Sequence, residues 1–229
     1  MRDLLAYRGS DKSKDRFPFI WSELYPCLND DTAATGFDRH YTFHTAWAAR
    51  LLAQTRPAVH HDISSAIYFS TLVSAFMPVR FYDYRPARLS LSNLTSERAD
   101  LLCLPFATGS LQSLSCMHVV EHIGLGRYGD PLDSEGSFKA IAELKRVVAP
   151  GGMLLFVVPV GAKARIQFNA HRIFSLGLVK ERFEDAFELK QFALIPDDPG
   201  DGDLVISPSD DLVAKQTYGC GCFWFEKRT

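Results

Sequence analysis

A short polar stretch between residues 121 and 130 carries the side chains best suited to chemistry. It contains Glu121, His122, Arg127, Tyr128 and Asp130, interspersed with glycines. Histidine titrates near neutral pH, so His122 is the first candidate for a general base. Glu121 could orient the imidazole of His122. The Arg127 guanidinium could hold an anionic substrate through paired hydrogen bonds. We predict that this stretch borders a substrate, with Tyr128 and Asp130 adding further contacts.

The same stretch spells G-x-G-x-x-G from Gly124 to Gly129, the pattern of a dinucleotide-binding turn. That site needs a helix directly behind the glycines, because the free N–H groups at a helix start bind the phosphate. The next residues, DPLDSEG, predict a turn, and the first good helix cap is Ser134. We therefore reject the dinucleotide site and predict a glycine-rich loop at the carboxyl end of a strand, where open α/β sheets bind ligands. The alternative is a surface turn in which Arg127 and Asp130 form an exposed ion pair.

A second polar cluster, FNAHR, occupies residues 168–172. His171 could lie at the same substrate site as His122 and share its catalytic role. Asn169 and Arg172 could bind substrate. The alternative is a helix start capped by Asn169, with His171 on a solvated face.

Alternating strands and helices must position both clusters. Asp38 is a plausible N-cap for a helix that stops at Pro57. Beyond it, apolar patterns predict two more helices, at residues 68–76 and 134–149. They also predict five strands, at residues 58–63, 79–84, 99–103, 113–120 and 152–160. This alternation predicts an α/β domain with a parallel sheet.

The last third of the chain has a different pattern. Two strands are predicted at residues 187–196 and 217–227, joined by the polar loop 197–215. They would form an antiparallel hairpin that closes the sheet edge. Residues 1–35 are irregular and rich in aromatic side chains. We interpret them as an N-terminal arm packed on the domain formed by residues 36–229.

Two segments of the chain resemble a known family. The segments are ADLLCLPFATGSLQSLSCMHVVEHI and FKAIAELKRVVAPGGMLLFVVP. Together they are similar to the central region of class I S-adenosylmethionine (SAM)-dependent methyltransferases, and the resemblance covers roughly residues 59–160. It implies a Rossmann-like, doubly wound, mostly parallel sheet with a C-terminal antiparallel strand. The finer match, through EHIGLGRYGDPLD, VPVG and FNAHRIF, resembles an uncharacterised methyltransferase-like branch associated with surface-polysaccharide assembly.

The resemblance implies that SAM is the cofactor and that it lies above the first two strands. In the family the first strand ends in an Asp-x-Gly-x-Gly turn. Here Asp62 is in place, but Ser64 and Ser65 stand where glycines are expected. A β-carbon hinders close backbone approach there, although a serine hydroxyl could donate a hydrogen bond.

Further positions align with residues that hold the rest of the cofactor. Asp83 matches the acidic residue that binds the ribose diol, and Asp100 with Leu101 matches the residues at the adenine. His118, at the end of the fourth strand, completes the implied cofactor-binding set. The alternative for the three aspartates, Asp62 included, is loop capping.

Composition excludes several classes of function. A formal net charge of -2 provides no basic field for nucleic acid. The N-terminus lacks the apolar segment of a signal peptide, and the longest apolar run, residues 153–160, is too short to form a transmembrane segment. Five cysteines without a regular spacing do not indicate a disulfide framework. We expect a cytoplasmic protein and leave its oligomeric state open.

The histidine and cysteine spacings do not complete a metal site. His40 and His44 lie one helical turn apart, yet no acidic third ligand is identifiable at matching spacing. Cys220 and Cys222 should face the same side of an edge strand as free buried thiols. The sequence therefore predicts no metal site.

The leading hypothesis is a SAM-dependent O-methyltransferase acting by in-line displacement on a carbohydrate or glycoconjugate hydroxyl, with a histidine base. Its acceptor would be a small molecule or a glycan. One alternative is a protein with the methyltransferase fold that has lost donor binding and acts as a scaffolding subunit. Another is a nucleotide-sugar-binding enzyme of different chemistry.

Overall fold

A computed structural model describes residues 2–10 and 17–229. The chain divides into two compact units, Met1–Phe37 and Asp38–Thr229. In the first unit, helix α1 spans Arg2–Ser10 and a 3-10 helix spans Trp21–Glu23. Within it, the Arg8 guanidinium lies 5.3 Å from the centroid of the Phe19 ring and 5.2 Å from that of Trp21.

The second unit is built on one large sheet with helices on both faces. Its helices are α2 (Arg39–Thr55), α3 (Ile67–Val73), α4 (Gly136–Val147), α5 (Leu176–Phe183) and α6 (Asp210–Lys215). Its strands are β1 (His60–Ser64), β2 (Val79–Asp83), β3 (Leu94–Arg98), β4 (Leu111–Met117), β5 (Val148–Val160), β6 (Arg165–Gln167), β7 (His171–Ile173), β8 (Phe187–Ile195), β9 (Val205–Ile206) and β10 (Gly219–Lys227).

Eight of these strands form the central sheet, in the order β3-β2-β1-β4-β5-β10-β8-β9. The first five are mutually parallel, and β10 runs antiparallel to both of its neighbours. This arrangement confirms the predicted doubly wound α/β fold with a C-terminal antiparallel strand. Strands β6 and β7 form a separate antiparallel ribbon.

The core lies on both faces of the sheet because side chains alternate along each strand. In β5, Leu154, Phe156 and Val158 pack with α4 and α5. The intervening Leu155 and Val157 pack with α2 and α3 on the opposite face. Each of these five side chains is completely buried. Burial on both faces explains why this strand is a continuous apolar run.

Helix α2 begins as predicted. The Asp38 carboxylate accepts a hydrogen bond from the backbone N–H of Tyr41 at 3.0 Å. The helix ends at Arg56, whose φ of 49° is left-handed, just before Pro57. The Asp38 cap thereby fixes the first turn of α2, which carries His40 and Tyr41.

Three local predictions were wrong. The strand expected at 99–103 is a turn, and the third strand is instead β3, an edge strand whose side chains are mostly exposed and therefore carry little apolar signal. Helix α4 begins at Gly136 after Glu135, without a side-chain cap from Ser134. The expected loop 197–215 contains β9 and α6, the latter capped by Ser209, whose hydroxyl accepts from Leu212 N at 3.2 Å.

The last strands also close the sheet differently from a simple hairpin. Strands β8 and β10 do pair antiparallel, but β10 inserts between β5 and β8, so that β9 forms the edge. In the part of the chain that is described, no helix is both long and apolar enough to cross a membrane.

Candidate functional site

The candidate site lies at the carboxyl ends of the parallel strands, where open α/β sheets bind ligands. Directly after β4, His118 adopts a left-handed φ of 55°. A 3-10 helix, Val120–His122, then turns the chain back. A non-glycine residue with positive φ is uncommon and is concentrated at functional positions.

The turn brings Glu121 against His118. Glu121 Oε1 lies 2.9 Å from His118 Nδ1, and both side chains are buried. The same oxygen is 3.9 Å from Nε2 of His122. The prediction that Glu121 orients His122 therefore needs correction: its hydrogen-bond partner is His118, because the 3-10 turn stacks residues three apart.

The protonation of His122 follows from a backbone contact. Its Nδ1 lies 2.7 Å from the carbonyl oxygen of Ala170, which can only accept, and 3.3 Å from Arg127 Nη1, which can only donate; the shorter contact favours the tautomer with the hydrogen on Nδ1. Nε2 is then left with a lone pair. The side chain is half-buried, with 15% of its surface exposed. The arrangement suits a proton acceptor that substrate can reach.

The other predicted acceptor residues converge on this histidine. The His171 ring lies 6.3 Å from that of His122, and the Tyr128 ring lies edge-on at 5.7 Å. Arg127 Nη1 donates to the Ala170 carbonyl at 2.9 Å. His171 Nε2 is also 2.6 Å from Gln167 Oε1. The two polar clusters of the sequence thus form one surface.

Two residues predicted to bind substrate have internal partners instead. Asp130 accepts from Gly124 N at 2.8 Å and from Tyr128 N at 3.2 Å, which closes the glycine loop. Both Asp130 oxygens face these backbone groups, and among the described residues Asp130 forms no ion pair with Arg127. Arg172 is buried and donates to three carbonyls, those of Ile123 at 2.6 Å and of Asp133 and Ser134 at 3.2 Å. Both side chains hold the loop in place.

Asn169 is exposed in the turn between β6 and β7. The alternative that it caps a helix is wrong, because residues 165–173 form the antiparallel ribbon. The glycine loop itself has positive φ at Gly124, where a β-carbon would lie 2.1 Å from the carbonyl oxygen of Asp133. The tight loop path therefore requires glycine there. It leads to α4 only at Gly136, so no helix start stands behind the glycines.

The residues predicted to bind SAM fall into two groups, one buried and one accessible. Asp62 is completely buried and accepts hydrogen bonds from the hydroxyls of Ser64, Ser70 and Ser115, the last at 2.5 Å. Burial raises the pKa of the Asp62 carboxyl. Asp62 and Ser64 thus form a buried polar network, with their side chains engaged in internal hydrogen bonds, and a direct cofactor contact by either stays a prediction.

The remaining predicted donor residues lie nearer the surface. Ser65 is exposed, with its hydroxyl 2.9 Å from that of Tyr41. Asp83, half-buried at the end of β2, accepts from Arg85 N through Oδ1 at 2.6 Å, and the described residues give its other oxygen no partner. Asp100 is exposed and accepts from the backbone N–H two residues ahead at 2.9 Å.

Leu101, predicted beside the adenine, is 6% exposed and belongs to the hydrophobic core. Its neighbour Asp100 forms the turn that loop capping predicted. Among the residues that the resemblance assigns to SAM, Ser65, Asp83 and Asp100 are therefore accessible. His118 belongs to a separate cluster with His40, His44 and Cys220.

Several residues around His118 were not predicted as site residues. The His40 ring stacks on that of His118 at 5.7 Å, the Tyr41 ring stacks at 5.3 Å, and the His44 ring lies edge-on at 5.0 Å. From β10, Cys220 Sγ lies 3.4 Å from His118 Nε2. The one-turn spacing of His40 and His44 was a signal for this cluster, but its partners are distant in sequence.

Burial keeps the two helix histidines neutral. It lowers the pKa of His40 to about 4 and that of His44 to about 3, with the neighbouring His118 contributing in the same direction. Burial likewise raises the pKa of the Cys220 thiol well above its usual range. His40, His44 and Cys220 are therefore neutral groups with lone pairs.

Comparison with known proteins gives a partial sequence match and a clear structural one. A family model described as "Caenorhabditis protein of unknown function, DUF268" matches residues 107–183. That segment, about a third of the chain, includes β4, the glycine loop and the ribbon. No curated protein matches the chain.

Three solved structures illustrate the structural likeness. A chain from the Haloferax volcanii complex between the Trm112 methyltransferase activator and a proposed methyltransferase is similar, with a TM-score of 0.55 at 17% identity over 84% of this chain and 91% of that one. N-methyltransferase NodS from Bradyrhizobium japonicum, in complex with S-adenosylhomocysteine (SAH), has a TM-score of 0.50 at 16% identity over 87% and 90%. The 1,6-didemethyltoxoflavin-N1-methyltransferase of Burkholderia thailandensis, also with SAH, has a TM-score of 0.51 at 11% identity over 82% and 79%. The chain has the class I methyltransferase fold.

Proposed function

We propose that this chain is a SAM-dependent methyltransferase that methylates a hydroxyl group with His122 as the general base. The observation that carries the proposal is the 2.7 Å contact of His122 Nδ1 with the Ala170 carbonyl, since an Nδ1–H donated there leaves Nε2 free to accept a proton. The fold supports it as well, because two similar structures, NodS and the toxoflavin methyltransferase, hold SAH.

The donor would lie above the carboxyl ends of β1 and β2. Asp83 fits the ribose there, because one carboxylate oxygen remains for the diol while the other holds the backbone of Arg85. Ser65 fits the first turn as an exposed hydroxyl, whose hydrogen would turn toward SAM from the Met117 carbonyl oxygen 3.3 Å away. Asp62 and Ser64 would act from beneath, by fixing the shape of that turn.

When bound, SAM supplies a methyl group on a positively charged sulfur, which is already activated for displacement. The chain's own task is then to align the acceptor and remove its proton. His122 Nε2 would take the hydroxyl proton, and the nearby Glu121 carboxylate would stabilise the resulting imidazolium at 3.9 Å. A positioned base of this kind contributes about 10²–10⁴-fold in rate.

For the acceptor we propose a carbohydrate or glycoconjugate that carries an acidic group. What supports this is the exposed Arg127 guanidinium beside His122, which could pair with a carboxylate or phosphate. Tyr128 and His171 add ring surfaces on which a sugar could lie. We propose the cytoplasm as the compartment, because all five cysteines are free thiols.

Calorimetry with SAM and SAH tests the donor half of the proposal without knowledge of the acceptor. We expect the native chain to bind both, and Asp83→Asn to weaken SAH binding at least tenfold. Asp211→Asn, which changes an exposed carboxylate in α6, is the matched control and should bind as the native chain does. Absence of binding at millimolar SAH would contradict the proposal.

A second candidate function is a protein of this fold that does not bind the donor. The observation that favours it is the hydrogen bond between Tyr41 and Ser65, which links α2 to the end of β1 where a donor would enter. Removing this link with Tyr41→Phe distinguishes the two. If donor binding appears only in that variant, the native chain is a binding protein and not an enzyme.

A further inference from the structure

Three elements bring two imidazoles and one thiol together beside the proposed acceptor surface. His40 comes from the start of α2, His118 from the end of β4 and Cys220 from β10. Each residue offers one ligand atom, and these three atoms all lie within 4.8 Å of one another. His118 and Cys220 are buried, while His40 is half-buried and marks the side that faces the surface.

The orientation of His118 is set by Glu121. The carboxylate accepts from Nδ1 at 2.9 Å, so the Nε2 lone pair points away from it and lies 3.4 Å from Cys220 Sγ. In proteins, a histidine that binds a metal through one ring nitrogen usually donates its other N–H to a carboxylate or carbonyl. The left-handed backbone of His118 helps hold the ring in this place.

The spacing matches that of metal ligands. Zinc–nitrogen bonds of about 2.0–2.1 Å and zinc–sulfur bonds of about 2.3 Å place tetrahedral N and S ligands roughly 3.6 Å apart. The His118–Cys220 distance of 3.4 Å agrees with this. The three ligand atoms all lie within 4.8 Å of one another, so reaching metal-ligand spacing takes a closure of at most roughly 1–1.5 Å, a small side-chain movement.

A second observation is an unsatisfied group next to the trio. His44 Nδ1 lies 2.6 Å from the His40 carbonyl and donates to it, which leaves an unprotonated Nε2. That nitrogen is buried and has no partner among the described residues. Its ring lies 5.0 Å from the His118 ring. An unpaired buried lone pair is costly, and a metal-bound water would satisfy it.

We propose that His40, His118 and Cys220 bind a transition-metal ion, best Zn²⁺, with the fourth coordination position open. One thiolate with two imidazoles is a set that zinc prefers, and three protein ligands plus an open position is the arrangement of reactive zinc centres. On binding, the Cys220 S–H bond breaks, an S–Zn bond forms and the proton passes to solvent.

The competing interpretation is a hydrogen-bonded Cys220–His118–Glu121 triad acting as a nucleophile. It is disfavoured because the Cys220 side chain is completely buried in the α2 face of the core. It also gives His40 and His44 no role. The metal proposal does not depend on methyl transfer, because metal binding is measured without donor or acceptor.

Cobalt titration of the chelator-treated full chain tests the proposal. Co²⁺ should bind at one equivalent and give a thiolate-to-cobalt charge-transfer band. Cys220→Ser should abolish that band. Cys222→Ser is the matched control, since its thiol is buried in the same strand only 3.9 Å from that of Cys220, and it should keep the band.

Two further variants keep the test decisive if Cys220→Ser fails to fold. His40→Ala, at a half-buried position on α2, should fold and lose tight binding. Glu121→Gln should weaken Zn²⁺ binding about 10–100-fold, the usual effect of removing an outer hydrogen-bond partner. A native chain with no charge-transfer band, or a folded His40→Ala variant with native affinity, would overturn the proposal. Rapid Cys220 alkylation that Zn²⁺ does not slow would favour the triad.

Discussion

The Nδ1 of His122 lies 2.7 Å from the carbonyl oxygen of Ala170, 48 residues later in the chain. This contact favours the tautomer of the proposed base with the hydrogen on Nδ1. We expect His122→Asn, whose amide can still donate to that carbonyl, to lower turnover by about 10²–10⁴-fold.

The measurement is SAH release with a glucuronic acid glycoside as the acceptor probe, together with the SAH dissociation constant. Donor affinity should stay within about twofold of native, because His122 is assigned to the acceptor side. Equal losses in turnover and donor affinity would show that the residue is structural.

Asp62 and Asp83 should respond oppositely to loss of the carboxylate charge. Asp62 accepts from three buried hydroxyls, and Asp62→Ala leaves those of Ser64 and Ser70 without an acceptor, at about 1–3 kcal/mol per group, while Ser115 keeps its contact with His60. We expect a loss of at least about 2 kcal/mol in the free energy of unfolding, measured by urea denaturation. Asp83→Asn should leave unfolding unchanged and weaken SAH. The reverse pattern would identify Asp62 as the direct ligand.

Arg172 and Arg127 form a second contrasting pair. Arg172→Met removes the donor to three loop carbonyls and should lower the free energy of unfolding by about 2–4 kcal/mol, as expected for charged hydrogen bonds. Arg127→Met, at an exposed position, should leave stability intact and raise KM for an anionic acceptor. If Arg127→Met destabilises the fold as strongly, its assignment to substrate is wrong.

His60 should make the fold sensitive to acid. It is completely buried between the hydroxyls of Ser113 and Ser115, and burial, assisted by neighbouring His61, lowers the pKa of His60 to about 3. The unfolded chain takes up the proton near pH 6.5 and the folded chain does not. Stability present above that pH is therefore lost as the pH falls from about 6.5 toward 3, by up to about 1.4 kcal/mol per pH unit.

Urea unfolding of the native chain and His60→Asn at pH 7, 6 and 5 checks this. The free energy of unfolding of the variant should change less steeply with pH, and the difference in slope should correspond to nearly one bound proton. Its absolute stability is not the readout, because the substitution also disturbs two hydrogen bonds. Parallel pH profiles for the two proteins would mean that His60 is protonated in the fold.

The fold could be predicted because its strands are apolar runs and its helices are periodic. Strand β5 and helix α4 illustrate this, since both carry strong patterns within a few residues. Strand β3 could not be found, because an edge strand with exposed side chains has little pattern. His122 and Arg127, five positions apart, do lie in contact, whereas Asp130 from the same stretch turns to the loop backbone.

Contacts between distant segments could not be predicted in this way. Cys220 reaches His118 across 102 residues, and only the insertion of β10 beside β5 brings them together. The burial of Asp62 was also invisible, because it depends on Ser115 from the neighbouring strand facing the same side. Local spacing identifies candidates, while sheet register decides which of them meet.

A crystal of the full chain soaked with SAH would test donor binding most directly. We expect SAH above the carboxyl ends of β1 and β2, with its ribose hydroxyls on the free oxygen of Asp83 and its sulfur facing His122. SAH density elsewhere on the molecule, or a native Tyr41–Ser65 contact with no SAH at saturating concentration, would contradict the assignment of this chain as a methyltransferase.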